Sequence, residues 1–113
     1  MSESNPDELE QYRSQIDVLD RRLLDLLNER TAVVERIGRV KQERRLAVYE
    51  PKREDQVYAN ILAHNHGPLP HEAVKRIFER IIDEMRTVQR NKMEQSPQNR
   101  AHRQADRDRR EPC

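Results

Sequence analysis

The chain has 113 residues, of which 38% are charged and only 34% hydrophobic, with 22 Lys and Arg against 21 Asp and Glu. That length suits one small domain, and that polarity excludes a thick globular core. A net charge of +1 says nothing about a polyanionic or polycationic partner, while two glycines, one phenylalanine and no tryptophan argue against a sheet protein.

All-α is therefore the expected class, built from helices that each bury one stripe and leave the rest wet. No run of about 18 apolar residues is present, so no membrane-spanning helix is expected. The start, MSESNPDELEQ, is acidic and polar, unlike a signal or transit peptide. The single cysteine, Cys113, cannot form an internal disulfide. The expected location is the cytoplasm.

Residues 1–5 read as a disordered lead. Asn5 is a candidate cap, Pro6 suits the first helical position, and Asp7 and Glu8 suit the positive end of a helix dipole. From there an apolar period runs to about Val40 or Lys41. Ile16, Leu19, Leu23, Leu26, Arg30, Val33, Ile37 and Val40 step alternately by three and four, a heptad pattern. The predicted helix has about 36–40 residues and is about 55–60 Å long. The average globular helix has about 12 residues, so this one needs a partner along its length.

Arg30 is the one charge in that seam. Burying a lone guanidinium costs several kcal/mol, on the order of the whole stability of a domain. It is either tied into a structural ion pair with a glutamate of another helix or set to receive an anion.

Residues 42–50 read as a break. A second helix starts at Pro51, carries Val57, Tyr58, Ile61 and Leu62, and stops near Gly67 and Pro68. A third opens after Pro70 with the stripe Val74, Ile77, Phe78, Ile81, Ile82, Met85 and Val88. The ordered domain is expected over 6–91. Residues 92–113 hold almost nothing apolar and read as a disordered, solvated tail. Arg100, Arg103, Arg107, Arg109 and Arg110 are interleaved there with Asp106, Asp108 and Glu111, which argues against nucleic-acid binding. Three helices of such unequal length cannot close a monomer, so dimerisation through the long helix is expected.

Lys41 lies eleven residues after Arg30, about three turns and about 16 Å along the axis, so both face the same way. Glu50, Arg53 and Glu54 open the second helix. Gln89, four residues past Met85, points toward the same interior. Arg13 is about 25 Å from Arg30 and cannot join it within one chain, but could do so across an antiparallel dimer. By themselves Arg13, Lys41 and Arg53 would be ordinary surface charges, Glu50 and Glu54 helix-start acids, and Gln89 a fraying end. No serine or cysteine nucleophile is paired with histidine, no dense metal cluster exists, and His64 and His66 read as surface-loop residues. No glycine-rich phosphate loop is present. What remains is a cationic slot for a small organic polyanion, with no cofactor or metal.

The runs LDRRLLDLLNERTAVVERIGRVKQ, VYEPKRE and IFERIIDEMRTVQ resemble the all-helical class of chorismate mutases over about residues 8–91. The most specific parts end in Arg30, Lys41, and Arg53 with Glu54. This resemblance implies a domain-swapped helical dimer with two active sites. It implies rearrangement of chorismate to prephenate in phenylalanine and tyrosine biosynthesis, without a cofactor. It implies that Arg30 and the partner copy's Arg13 hold the substrate carboxylates, with Arg53 fixing that end. Lys41 and Gln89 would hydrogen-bond the ether oxygen, and Glu54, with Glu50 nearby, would orient the ring hydroxyl. Glu50 stands where the family often has Asp. Met85 stands where some members have a serine that contacts a carboxylate, so one polar contact is missing or supplied elsewhere. If the chain docks on another enzyme of the aromatic pathway, Arg44, Arg45 and the tail are the candidate contacts.

Two other functions compete. A non-catalytic helical pairing module would be stabilised by Arg30→Leu without loss of function. A pericyclic relative, such as an isochorismate pyruvate lyase, would use the same residue types on a similar substrate.

Overall fold

The computed structural model describes residues 6–94. Helix α1 spans Pro6–Glu43, α2 spans Pro51–His64 and α3 spans His71–Glu94. No strand occurs among the described residues. The chain divides into two units, one ending at Val33 and the other starting at Val34. The expected cap at Asn5, the lead 1–5 and most of the tail lie outside the described residues.

In the first unit α1 carries acidic residues in its first turn, Asp7 and Glu8, as the dipole favours. Leu9, Tyr12, Ile16, Leu19, Leu23 and Leu26 are exposed, Leu26 at 64%. The helix is continuous, yet its heptad seam is uncovered in the single chain.

The second unit holds the buried apolar side chains, Val34, Val74, Ile82 and Met85. Helix α2 packs on α3. Gly38 of α1 lies against Gln89 of α3, whose Cγ would be 3.6 Å from a Cβ placed at Gly38. This is ordinary van der Waals contact.

Two boundaries differ from expectation. Helix α1 continues past Lys41 to Glu43. Its end is a Schellman motif, in which Leu46 N–H donates to the Lys41 carbonyl at 2.7 Å and Arg45 N–H to the Gln42 carbonyl at 3.2 Å. Arg45 fills the left-handed position with φ of 57°. That place usually takes glycine, so no stop signal is visible there. Helix α3 continues through residues assigned to the tail and ends at Glu94. Within that extension Lys92 pairs with Glu35 of α1 at 3.1 Å. The added turn thus carries a cross-helix ion pair and no apolar period.

The other boundaries follow local chemistry. Pro51 sits at the start of α2, where its missing N–H costs nothing. After α2, Asn65 organises the turn. Its side-chain oxygen accepts from Gly67 N–H at 3.1 Å, and its amide donates to the Leu69 carbonyl at 3.0 Å. Gly67 has φ of 80°, a conformation that favours glycine.

Candidate active site

The second unit brings Lys41, Glu50 and Gln89 together. Lys41 sits near the end of α1 and is only 6% exposed, and Gln89 of α3 is 8% exposed. The Lys41 ammonium donates to the Val48 carbonyl at 2.9 Å and to Gln89 Oε1 at 3.2 Å. Glu50 Oε2 lies 3.6 Å away. An ammonium has three donors and no acceptor, so three oxygens around it are what burial demands. Glu50 is the residue before α2, yet its side chain makes no capping bond. Its carboxylate turns to Lys41 instead, while its carbonyl accepts from Glu54 N–H at 3.0 Å. Because Lys41 can only donate, Gln89 must present its oxygen to it. The amide nitrogen of Gln89 is then left to donate elsewhere.

Glu54 has a partner within the protein. Its Oε2 pairs with Arg86 Nη2 of α3 at 2.5 Å, and the two side chains are 21% and 23% exposed. Arg86 also reaches Asp83 at 3.1 Å and lies over the Tyr49 ring, 5.0 Å from its centroid. The hydrogen bond to Glu54 holds the Arg86 guanidinium further above its usual range, outweighing the opposing effect of burial. Burial first, then the Glu79 and Glu54 carboxylates, push the Tyr58 phenol above its ordinary value.

Sequence reading overlooked Arg86, Tyr49 and the Val48 carbonyl. Arg86 flanks the α3 stripe, where a long cation normally snorkels to water, so its position carries no special signal. Val48 contributes a backbone atom, which no side-chain pattern announces.

The remaining candidates are placed as follows. Arg53 is exposed on α2 and donates to Gln56 at 3.4 Å. Met85 is buried in the apolar stripe of α3. In the first unit, Arg30 is half-buried on α1, and Arg13 is exposed and bridged to Glu10 at 2.9 Å. Among the described residues, no group of His, Cys, Asp and Glu is arranged to hold a metal ion. No described helix is long and apolar enough to cross a membrane.

Comparison with known proteins bears on this arrangement. The family profile for chorismate mutase type II matches residues 12–90. The bifunctional chorismate mutase/prephenate dehydratase of Neisseria gonorrhoeae is 40% identical over 90 residues, covering 80% of this chain and 24% of that protein. The protein of the same name from Aquifex aeolicus is 38% identical over 80 residues, covering 67% and 22%. The chain thus spans about a quarter of the length of these relatives. Among solved structures, chorismate mutase (Form II) of Thermus thermophilus is 34% identical with a TM-score of 0.71, covering 73% of this chain and 93% of that one. Chorismate mutase of Helicobacter pylori in complex with prephenate is 30% identical with a TM-score of 0.72, covering 77% and 94%. Profile, sequence and three-helix fold agree over the segment that contains Lys41, Glu54 and Gln89, and the chain belongs to the chorismate mutase type II family.

Proposed function

We propose that this chain converts chorismate to prephenate by a [3,3]-sigmatropic rearrangement. One C–O bond breaks and one C–C bond forms within the same molecule. No proton, nucleophile or cofactor takes part. The protein's task is to hold a flexible dianion in its compact, reactive conformer and to stabilise negative charge growing on the ether oxygen.

The observation that carries this reading is the buried ammonium of Lys41 with Gln89 beside it. In the proposed complex the ether oxygen replaces the longest of the Lys41 contacts, the one to Glu50. The Gln89 amide nitrogen donates to the same oxygen. Two donors fixed in a dry slot need little reorganisation as charge develops. Arg30 of the same chain and Arg13 of a second copy take the carboxylates, with Arg53 at that end. Glu54, with Glu50 nearby, takes the ring hydroxyl. Met85 supplies no hydroxyl, so a carboxylate contact available to serine-bearing relatives is absent there.

The working form in this reading is a homodimer. The apolar row on α1 supports it, because each such side chain is about half exposed in the single chain and gains roughly 0.7–1.5 kcal/mol when fully covered. The few buried apolar side chains of one chain also support it. A cytoplasmic setting suits a chain with one cysteine. Docking on a second aromatic-pathway enzyme, through Arg44 and Arg45, is supported by relatives whose names join a mutase to a prephenate dehydratase.

Incubating the purified chain with chorismate tests the activity. Loss of chorismate absorbance with stoichiometric prephenate is expected. Unchanged chorismate sinks the reading, and conversion of isochorismate alone, with pyruvate release, replaces it with a lyase. Mixing Arg13→Ala with Lys41→Ala protein tests the shared site. Subunit exchange rebuilds one intact site per mixed dimer, so activity should return to about a quarter of normal. No recovery would place Arg13 outside the partner's site.

A further inference from the structure

Arg86 holds two parts of the candidate site at once. It stands on α3 three residues before Gln89, and its guanidinium makes attachments to two other segments. One is the ion pair with Glu54 of α2. The other is the Tyr49 ring, in the connection between α1 and α2. Tyr49 lies between Val48, whose carbonyl accepts from Lys41, and Glu50, whose carboxylate faces it. Asp83, on Arg86's own helix, adds a third contact at 3.1 Å and steadies the guanidinium. The Nε of Arg86 is buried with no hydrogen-bond partner among the described residues.

We propose that Arg86 is a positioning residue of the reaction. It grips one oxygen of Glu54 and leaves the other, Oε1, outside the ion pair for the substrate hydroxyl. Through Tyr49 it also fixes the 48–50 segment that orients the Lys41 ammonium. This inference rests on the mutase reading. It adds a residue that touches no substrate and acts through Glu54 and Tyr49.

The test is a double-mutant cycle on the full chain, with kcat and KM for chorismate measured for wild type, Arg86→Met, Glu54→Gln and the double variant. Arg86→Met is expected to lower kcat/KM on the order of 10-fold, as small misplacements do. Adding it to Glu54→Gln is expected to cost clearly less than 10-fold more, because the Glu54 route is then already lost and only the Tyr49 route is left. Arg86→Lys, which keeps the charge but loses the planar fork, is expected to recover part of the loss. A merely structural arginine would instead multiply its effect onto Glu54→Gln. That result, or Arg86→Met within about twofold of wild type, overturns the inference. Should Arg86→Met fail to fold, Arg86→Gln takes its place in the same cycle with the same criteria. A wild-type chain without turnover removes the mutase reading and this inference together. An active wild type with multiplying losses removes the inference alone.

Discussion

From Asp7 to Val33 every residue is exposed except Leu27, Arg30 and Thr31, which are half-buried. From Val34 onward the pattern changes. Val34, Gly38 and Lys41 are buried on α1, and Val74, Ile82, Met85 and Gln89 on α3. One continuous helix runs through both regions. Its leucines stop at Leu27 and Val, Ile and Gly38 follow, yet both stretches are helical and charged throughout. What differs is whether a side chain meets something to pack on. Helix propensity is thus no guide to where a site forms. The second region supplies the acceptors that let a lysine be buried, and the first supplies apolar surface that calls for another molecule.

The strongest way to break this contrast is to attack the first region. Leu19→Glu with Leu23→Glu places two charges on the exposed seam. We expect loss of about 3–6 kcal/mol of association, because the homodimer loses four leucines that are each about half exposed in the single chain. Sedimentation should show monomers, and turnover should fall with the dimer. A fully active monomer would overturn the role given to that surface.

The second region is broken at its centre by Lys41→Ala. Removing one donor to developing charge costs about 2.7–4 kcal/mol in the barrier. Turnover should drop on the order of 100-fold or more while sedimentation stays unchanged. Near-normal turnover would detach Lys41 from the chemistry. Together the two variants sharpen the contrast, since one should remove association and activity and the other activity alone.

A smaller effect is expected at the end of α1. Arg45→Gly relieves the left-handed strain, about 1–2 kcal/mol, against the greater unfolded-state freedom of glycine. A net gain of about 0.5–1 kcal/mol should appear as a raised urea midpoint. A lowered midpoint would mean that the Arg45 side chain contributes more than its backbone strain costs.

The smallest effect concerns Tyr58. Its phenol is raised above 10.0 by burial and by the Glu79 and Glu54 carboxylates. Its contribution to stability is therefore complete below about pH 10. It is lost as pH rises through the higher folded value, because the unfolded chain ionises first. Tyr58→Phe should lose less stability than wild type between pH 9 and pH 11, measured by urea unfolding at each pH. Parallel losses in the two proteins would show that burial does not hold the phenol neutral.

Much of the fold was legible because helices are written in short-range terms. Pro6 and Pro51 marked helix starts, and the three- and four-residue steps marked the apolar faces of α1 and α3. Spacing put Lys41 on the face of Arg30 and Gln89 four residues past Met85, and the family resemblance made them site candidates. Their contact at 3.2 Å follows from α3 packing against the end of α1. The ends of α1 and α3 were misjudged for two reasons. Arg45 gives no sign that it will take a left-handed turn, and the residues past Asn91 carry no apolar period, although Lys92 meets Glu35 across the helices.

Sequence alone determined the class, the three helices, the apolar faces and the cations available for chemistry, since each depends on residues within a few positions of one another. Tertiary structure decided the rest. It chose the Val48 carbonyl and the Glu50 carboxylate as the setting for Lys41, and it joined Arg86 to both Glu54 and Tyr49. Those partners lie on different segments, and only packing determines which distant oxygen or ring a buried charge will find.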